Sequence, residues 1–320
     1  MTRSGRSAQR LFDQSNNGKS TDWLDCPVSV YNLITSNLIL HYSSFNGAAA
    51  IKNITLRIYF AVVTLAALFL SSTVAAQDEA DLAQKLSNPV AALISVPIQM
   101  NYDNNYGPND DGTILRINVQ PVVPISLGDD WNLISRTILP IVDQNDVPFD
   151  GYSEFGLGDT VQSFFFSPKA PTSSGWIWGA GPVLLAPTAT DQFLGSEKWG
   201  IGPTAVVLKQ QGPWTFGALA NHIESFAGAS DRADISATFL QPFVSYVTPK
   251  RTTYSFNTES TYDWESRRWA VPLNVGVSQL LRMGDQLVQI GGSVRYWVTA
   301  PDNGPEGWAL RLTFTLLYPK

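Results

Sequence analysis

The chain has 320 residues and a formal net charge of −6, with 44% hydrophobic and 15% charged residues. This apolar content excludes a disordered chain, and the acidic balance excludes a basic nucleic-acid-binding protein. One cysteine and two histidines exclude a disulfide scaffold and a zinc site of cysteine and histidine ligands.

A signal peptide is predicted over residues 52–76. Lys52 and Arg57 precede an apolar run at 58–70, and small residues follow at the positions that a signal peptidase reads. The run is shorter than the roughly 20 residues that a membrane-spanning helix needs, so cleavage after Ala76 is favoured over a retained anchor. The sequence therefore predicts an exported protein.

A long polar stretch, residues 1–51, precedes this signal instead of the usual short basic region. It is interpreted either as the product of a mis-set start codon or as a genuine N-terminal extension. Both interpretations leave residues 1–76 outside the predicted fold.

After the signal, the sequence predicts one short helix and then strands. The helix is expected over 81–86, within a periplasmic N-terminal segment at 77–94. Apolar and polar residues then alternate over 95–320, in runs of about ten residues, the length of a tilted transmembrane strand. The predicted strands are 95–102, 113–126, 131–141, 157–167, 175–186, 199–208, 213–223, 235–247, 252–262, 269–281, 286–297 and 307–318.

The last predicted strand shows this alternation most clearly. One face is small or polar and includes Ala309, Arg311, Thr313 and Thr315. The opposite face is wholly apolar or aromatic, with Trp308, Leu310, Leu312, Phe314, Leu316 and Tyr318. Such alternation is typical of a membrane barrel, in which lipid-facing and lumen-facing positions alternate, although a soluble β-sandwich produces the same pattern.

The predicted connections alternate in length, which favours the barrel. Compact turns follow the even-numbered strands, as at 128–130 and 210–212, whereas longer acidic connections follow most odd-numbered strands, as at 142–156 and 187–198. Outer-membrane barrels have an even strand number, short periplasmic turns and longer external loops. The predicted fold class is an all-β, transmembrane, antiparallel up-and-down β-barrel of about 12 strands.

Prolines within the predicted strands argue against this interpretation, because each removes a hydrogen-bond donor from the ladder. We expect β-bulges to accommodate them. They are Pro121, Pro182, Pro203, Pro242 and Pro272.

Tryptophans concentrate near the predicted strand ends. This placement predicts two interfacial girdles, and the alternative is that the large rings fill a protein core. The girdle residues are Trp131, Trp176, Trp199, Trp214, Trp264, Trp269, Trp297 and Trp308.

Several short motifs carry a resemblance to a known family. They are LSNPVAALISVP at 86–97, VQPVVP at 119–124, WNLISR at 131–136, GD at 158–159, FFFSP at 164–168 and GPEGW at 304–308. Over nearly all of 82–320 the chain resembles the phenol-degradation meta-pathway (MetA-pathway) family of bacterial outer-membrane transporters, sometimes mislabelled neuromedin U. The resemblance implies an outer-membrane barrel and hints at aromatic or hydrophobic solutes, but it brings no established binding residues.

Charged residues within the predicted strands are the candidate lumen residues. A charge facing lipid at the bilayer midplane costs several kcal/mol, so these side chains should point inward. Their mixed sign could orient polar solutes, and the alternative is that they pair and constrict the lumen. The candidates are Arg116, Arg136, Asp159, Glu259, Arg295 and Arg311.

No catalytic residue, metal or cofactor is predicted. His222 is followed by Glu224 and Ser225, and the two-residue period of a strand turns Ser225 to the face opposite His222. The acidic pair Asp110 and Asp111 lacks the rest of a calcium-binding loop.

The sequence thus predicts a passive outer-membrane channel or transporter for small solutes, surrounded by outer-membrane lipids and without a nucleic-acid partner. The alternatives are a structural or adhesive surface barrel with a plugged lumen, an outer-membrane lipid hydrolase and a soluble secreted β-sandwich.

Overall fold

The computed structural model describes residues 76–318. The predicted N-terminal extension and all but the last residue of the predicted signal peptide lie outside this range. A single helix, α1 (Ala76–Leu86), precedes the sheet within it. The strands are β1 (Ile94–Tyr106), β2 (Gly112–Val119), β3 (Val122–Leu127), β4 (Trp131–Asn145), β5 (Ser153–Leu157), β6 (Thr160–Pro168), β7 (Trp176–Ala186), β8 (Lys198–Gln211), β9 (Trp214–Gly228), β10 (Ser236–Val247), β11 (Thr252–Thr258), β12 (Ser260–Asp263), β13 (Arg268–Met283), β14 (Gln286–Thr299) and β15 (Gly307–Tyr318).

The strands form one antiparallel sheet that closes on itself as a 12-stranded barrel. Closure occurs between the first and last strands, where the register pairs Ile94 with Tyr318 and Tyr102 with Leu310. Three barrel strands are each divided in two, as β2 and β3, β5 and β6, and β11 and β12. The predicted barrel is confirmed, and the two packed sheets of a sandwich are excluded for residues 76–318.

The barrel has a turn end and a loop end. The turn end carries short connections such as 212–213 and 284–285, where Gly212 and Gly284 have the positive φ that tight hairpins favour. The loop end carries longer connections, at 146–152, 187–197, 229–235 and 300–306.

Several strands continue beyond their predicted limits at the loop end. β1 reaches Tyr106, β4 reaches Asn145 and β9 reaches Gly228, although the sequence predicted loops beginning before these points. The extensions of β1 and β4 carry mostly polar residues, such as Asp103, Asn104, Asp143 and Asn145, so the hydrophobic alternation weakens there while the backbone pairing continues.

The expectation of bulges at the prolines holds only in part. Pro121 lies in the interruption between β2 and β3, and the register shifts at Pro272. Pro182 and Pro203 instead face each other within a regular β7–β8 ladder, and Pro242 lies opposite Ala218 in a regular β9–β10 ladder. Pro182 and Pro203 are therefore accommodated without a register shift in the β7–β8 ladder, and Pro242 without one in the β9–β10 ladder.

The two faces of the barrel differ in chemistry. Apolar side chains such as Trp308, which is 67% exposed, and Leu310 point outward from β15, whereas Arg311 and Thr315 are buried on the inner face. The same division repeats around the barrel because successive strand residues point to opposite faces. The outer surface is therefore an apolar band, and the inner surface is rich in polar groups.

The N-terminal segment, residues 76–93, packs against the inner wall at the turn end. Ala83 and Leu93 form a buried cluster with Val247, Leu280 and Leu317 of the wall, and Leu82 and Leu86 pack against it. The Gln84 side chain donates a hydrogen bond of 2.6 Å to the Gly212 carbonyl, and Gln210 donates back to the Gln84 carbonyl at 2.9 Å.

After α1 the chain crosses to the opposite wall. The helix ends before Pro89, which disfavours a helical conformation at the preceding residue. Val90 is then buried against Ile134, Phe165 and Leu208, and Gly179 leaves room for it because a Cβ there would lie 3.1 Å from its methyl group. Residues 76–93 thus narrow the lumen at the turn end. Among residues 76–318, no helix has the length and apolar character that a membrane crossing requires.

Candidate functional site

A network of paired charges lines the inner wall from β11 to β1. It contains Asp103 of β1, Arg295 of β14, Arg311 of β15 and Glu259, which lies in the interruption between β11 and β12. Because β14, β15 and β1 are consecutive neighbours in the closed sheet, their inward side chains meet although the chain separates them widely.

Arg311 and Glu259 form the tightest contact. Arg311 Nη1 and Nη2 donate to the two oxygens of Glu259 at 2.8 and 2.6 Å. Arg311 Nε donates to Asn101 Oδ1 at 2.7 Å, so all three guanidinium nitrogens are engaged. This two-pronged geometry is the strongest form of an arginine–carboxylate pair.

Arg295 joins the second carboxylate to the network. Its Nη1 lies 3.2 Å from both oxygens of Asp103, and its Nη2 lies 3.1 Å from Glu259 Oε2. Its Nε donates to Asn274 Oδ1 at 2.9 Å. Two arginines thus face two carboxylates, and the buried charges of the network balance.

Burial makes this balance energetically important. Asp103 is 1% exposed, and Arg295 and Arg311 are nearly as deeply buried. Removing one partner of such a buried pair typically costs about 3–5 kcal/mol, because the remaining charge has lost its water and its counter-charge. The four charged side chains of the network therefore depend on one another for their compensation.

The structure brings three of the six predicted lumen residues, Glu259, Arg295 and Arg311, into direct contact. Arg136 also lies on the inner face, where it donates to Gln120 Oε1 at 2.9 Å. Arg116 pairs in register with Asn101, which places its side chain on the same inner face.

Asp159, the sixth predicted lumen residue, instead holds a loop at the barrel rim. Its carboxylate accepts hydrogen bonds of 2.6 Å from both the backbone nitrogen and the hydroxyl of Ser196, and one of 3.2 Å from the backbone nitrogen of Ala189. Arg232 donates to the Gly195 carbonyl of the same loop at 2.6 Å. Asp159 therefore anchors the loop at 187–197 and takes no part in the charge network.

The sequence did not predict Asp103, Asn101 and Asn274 as site residues. Asp103 lies one residue beyond the end of the predicted strand 95–102. The signal that could have found it is the continuing alternation of Gln99, Asn101 and Asp103 on one face of β1.

Most of the predicted girdle tryptophans lie on the outer face. Trp131 packs edge-on against Trp178 with ring centroids 5.9 Å apart, and similar contacts join Trp176 to Phe216 and Trp214 to Tyr246. At the loop end, Trp264 and Trp269 both contact Tyr262, Trp308 contacts Tyr296, and Trp199 is exposed. Their location at a membrane interface stays a prediction.

Trp297 is an exception, and the prediction for this residue is wrong. Its indole nitrogen donates to Asp103 Oδ1 at 2.8 Å, and its ring lies against the Arg295 guanidinium at 5.5 Å. Trp297 therefore faces the lumen and supports the charge network. Its position at a strand end suggested a girdle, but its register places it on the same face as Arg295.

A cavity of about 280 Å³ lies between the N-terminal segment and the charge network. Leu86, Ser87 and Pro89 form one side, and the inner wall from β10 to β15 and β1 forms the other. Its polar lining residues are Gln99, Gln241, Ser245, Thr253, Ser255, Asn257, Asn274, Ser278, Gln289, Ser293, Arg311 and Thr313.

A separate polar cluster surrounds His222 on β9. His222 Nδ1 lies 2.9 Å from Thr238 Oγ1, and Nε2 lies 3.1 Å from Glu224 Oε2. Ser225 is directed elsewhere, and its hydroxyl donates to Asp234 at 3.3 Å, as the phase of the strand predicted. No group of three or more potential metal ligands of the His, Cys, Asp and Glu types occurs within residues 76–318.

No protein-family model matches the chain, and no curated protein matches it. Among solved structures, an outer-membrane channel from Pseudomonas putida F1 is similar, with a TM-score of 0.56 and 16% identity over 71% of this chain and 96% of that chain. The Salmonella typhi outer-membrane phospholipase dimer with bound calcium gives a TM-score of 0.42 and 12% identity over 78% and 99% of the two chains.

The likeness to the Pseudomonas putida channel shows that the two chains share the barrel fold. The likeness to the phospholipase is too weak to carry an argument. The resemblance to the phenol-degradation meta-pathway family stays a prediction.

Proposed function

We propose that this protein lies in the outer membrane of a Gram-negative cell and acts as a passive channel for small solutes. The observation that supports this most strongly is the division between the two faces of the closed barrel. A lipid bilayer is the environment in which an apolar outer band is stable, and a polar lumen is what a water-filled path requires.

The signal peptide predicted from the sequence supports the same location, since outer-membrane proteins are exported. The similar structure from Pseudomonas putida F1 is described as an outer-membrane channel, which agrees with the proposal. The charge network and the N-terminal segment occupy part of the lumen, so the proposal is for small solutes rather than for large ones.

The second candidate is a structural or adhesive barrel whose lumen is plugged. The contacts of the N-terminal segment favour it, since Ala83, Leu86 and Val90 pack against both sides of the inner wall. In this case the loops at the loop end carry the function, and no solute crosses the barrel.

Conductance of the purified full chain in planar lipid bilayers tests the proposal. We expect discrete current steps whose size changes in Arg136→Ala and Arg311→Ala, because both side chains lie on the inner face. Heat-modifiable mobility in gels establishes that each variant has folded. Zero current for the wild type and for a variant with a loosened N-terminal segment would favour the plugged barrel.

A further inference from the structure

We infer that the cavity between the N-terminal segment and the charge network binds an uncharged, polyhydroxylated small molecule of the size of a monosaccharide or a sugar alcohol. This inference rests on the proposed function, because it names the class of solute that the lumen takes.

The lining of the cavity combines neutral hydrogen-bonding side chains with apolar ones, among them Leu86, Pro89 and Phe243. Hydroxyl and carboxamide side chains both donate and accept, and the cavity brings them together from β10, β11, β13, β14, β15 and β1. A ligand with several hydroxyl groups matches such a wall. An aromatic hydrocarbon would offer these donors and acceptors no hydrogen bond, so the hydrogen-bonding part of the lining favours a hydroxylated ligand over the aromatic solutes at which the family resemblance hints.

Two hydroxyls of this lining have no hydrogen-bond partner. Ser245 Oγ and Thr253 Oγ1 are buried, their residues are 7% and 5% exposed, and neither atom contacts a donor or acceptor within residues 76–318. They lie on the neighbouring strands β10 and β11, where Ser245 pairs with Ser255 and Thr253 pairs with Val247, so they are diagonal neighbours on the inner face. Buried polar groups are normally satisfied. Both oxygens are shielded from solvent in this conformation, so a ligand hydroxyl can donate to one and accept from the other once the two side chains turn toward the cavity.

The charges around the cavity select against ionised ligands. Arg311 is the one charged residue of the lining, and Glu259 and Asn101 already engage all its guanidinium nitrogens. A carboxylate or an ammonium group entering the cavity would lose its hydration without meeting a free counter-charge. The ligand is therefore neutral.

Glycines on the inner face provide the space. A Cβ at Gly291 would lie 2.7 Å from the Cβ of Ser278, and a Cβ at Gly276 would lie 2.9 Å from the Cβ of Ser293. Side chains at these positions would fill the volume between β13 and β14. At about 280 Å³ the cavity is just below the usual range of drug-sized pockets, which suits a small ligand.

Equilibrium dialysis of the purified full chain in detergent tests this inference, with radiolabelled glucose, its carboxylate gluconate and phenol as probes. We expect saturable binding of glucose and none of gluconate or phenol. Absent glucose binding, or gluconate or phenol binding as tight as that of glucose, would overturn the inference.

The double variant Ser245→Ala, Thr253→Val assigns the binding to this cavity. We expect it to weaken glucose binding at least about fivefold, since two hydrogen bonds are lost. The matched control is Thr204→Val, which removes a buried inner-face hydroxyl that does not line the cavity and should not change the affinity. Equal affinity in the double variant and the wild type would overturn the assignment. If the double variant fails to fold, the single variant Ser245→Ala serves in the same comparison.

Stability provides an independent readout. The double variant should unfold at the same temperature as the wild type or higher without ligand, because the deleted hydroxyls have no partners to lose.

Dialysis requires no passage through the barrel. Glucose binding without current would therefore refute the channel alone, and current without glucose binding would refute the inferred site alone.

Discussion

Arg311 and Glu259, which are 52 residues apart in the chain, meet on the inner wall through two hydrogen bonds of 2.8 and 2.6 Å. Arg295 shares the same carboxylate at 3.1 Å. Glu259 therefore compensates two arginines at once, and its charge decides the electrostatic balance of the network.

Replacing this carboxylate should make the lumen more selective for anions. In Glu259→Gln the two arginines retain only Asp103 as a counter-charge, so we expect the reversal potential in a salt gradient to shift toward that of the anion. We also expect a loss of stability of about 3–5 kcal/mol in urea unfolding. Glu306→Gln, which removes an equal charge from an exposed loop position, is the control. Equal reversal potentials in both variants would contradict a role for the network in selectivity.

The packing of α1 predicts how the lumen could be opened. Ala83 has no exposed surface and packs against Leu280 and Leu317, so Ala83→Asp would place an uncompensated charge between apolar side chains. We expect the N-terminal segment to detach from the wall and the single-channel conductance to rise severalfold in planar bilayers. Asp81→Asn changes a charge on the exposed side of the same helix and should leave conductance unaltered. Unchanged conductance in Ala83→Asp would show that the segment does not limit the current.

The sequence predicts the barrel because each strand must alternate between lipid-compatible and lumen-compatible side chains. β15 illustrates this, since over residues 308–316 its aromatic and large aliphatic side chains alternate with small or polar ones. The sequence predicts the helix over 81–86 but does not predict that it packs within the barrel. Leu82, Ala83 and Leu86 indicate that the helix has an apolar side, but they do not indicate which part of the protein covers that side.

The pairing of the charged side chains within the site could not be predicted either, because a residue pattern indicates the face on which a side chain lies but not the side chain that it contacts. The two-residue alternation places Arg295 and Arg311 on the inner face, and it places Asp103 there too once β1 is continued beyond its apolar part. It does not show that Asp103 meets Arg295, which is 192 residues away. Glu259 lies where β11 gives way to β12, an interruption that no residue pattern marks. Long-range partners follow from the closure of the barrel, which is a tertiary property.

The anchoring of the loop at 187–197 by Asp159 leads to a prediction about proteolysis. Asp159→Asn should weaken the two short hydrogen bonds from Ser196, because a neutral amide oxygen is a poorer acceptor than a carboxylate. We expect chymotrypsin to cleave near Phe193 several times faster than in the wild type, with Asp111→Asn in a different loop as the control. Cleavage at the wild-type rate would show that the other contacts of the loop suffice to hold it.

The ion pair between Lys198 and Asp234 predicts a pH dependence at the loop end. The 2.9 Å hydrogen bond and the positive charge of Lys198 hold the pKa of the exposed Asp234 carboxyl below its usual value. An aspartate whose pKa is lower in the folded state stabilises the fold at pH values above its unfolded-state pKa, about 3.9. This stabilisation is lost as the pH falls through the lower pKa of the folded state.

Lys198→Met should remove this contribution. We expect its thermal midpoint to lie slightly below that of the wild type at pH 7 and the gap to narrow below about pH 4, with a small effect because Asp234 is exposed. A gap of constant size across this pH range would show that the difference comes from the packing of residue 198 and not from the ion pair.

The cluster around His222 is the place where ester hydrolysis could be sought, and we expect none. Thr238, His222 and Glu224 form a chain of hydroxyl, imidazole and carboxylate, with contacts of 2.9 and 3.1 Å. The Thr238 hydroxyl also accepts a hydrogen bond of 2.9 Å from the Trp264 indole nitrogen. Acyl transfer also needs donors aimed at the developing oxyanion, commonly free backbone amides, whereas this cluster lies in the ladder that pairs β9 with β10.

Phospholipid hydrolysis by the purified protein should therefore equal that of His222→Ala and of Thr238→Val, measured by the release of fatty acid with and without added calcium. We expect His222 instead to link the neighbouring strands, so His222→Ala should lower the thermal midpoint by a few degrees. This expectation would be overturned if the wild type released fatty acid and both variants, still folded, did not. Only a catalytic mechanism that uses the His222 and Thr238 side chains together would require both of them.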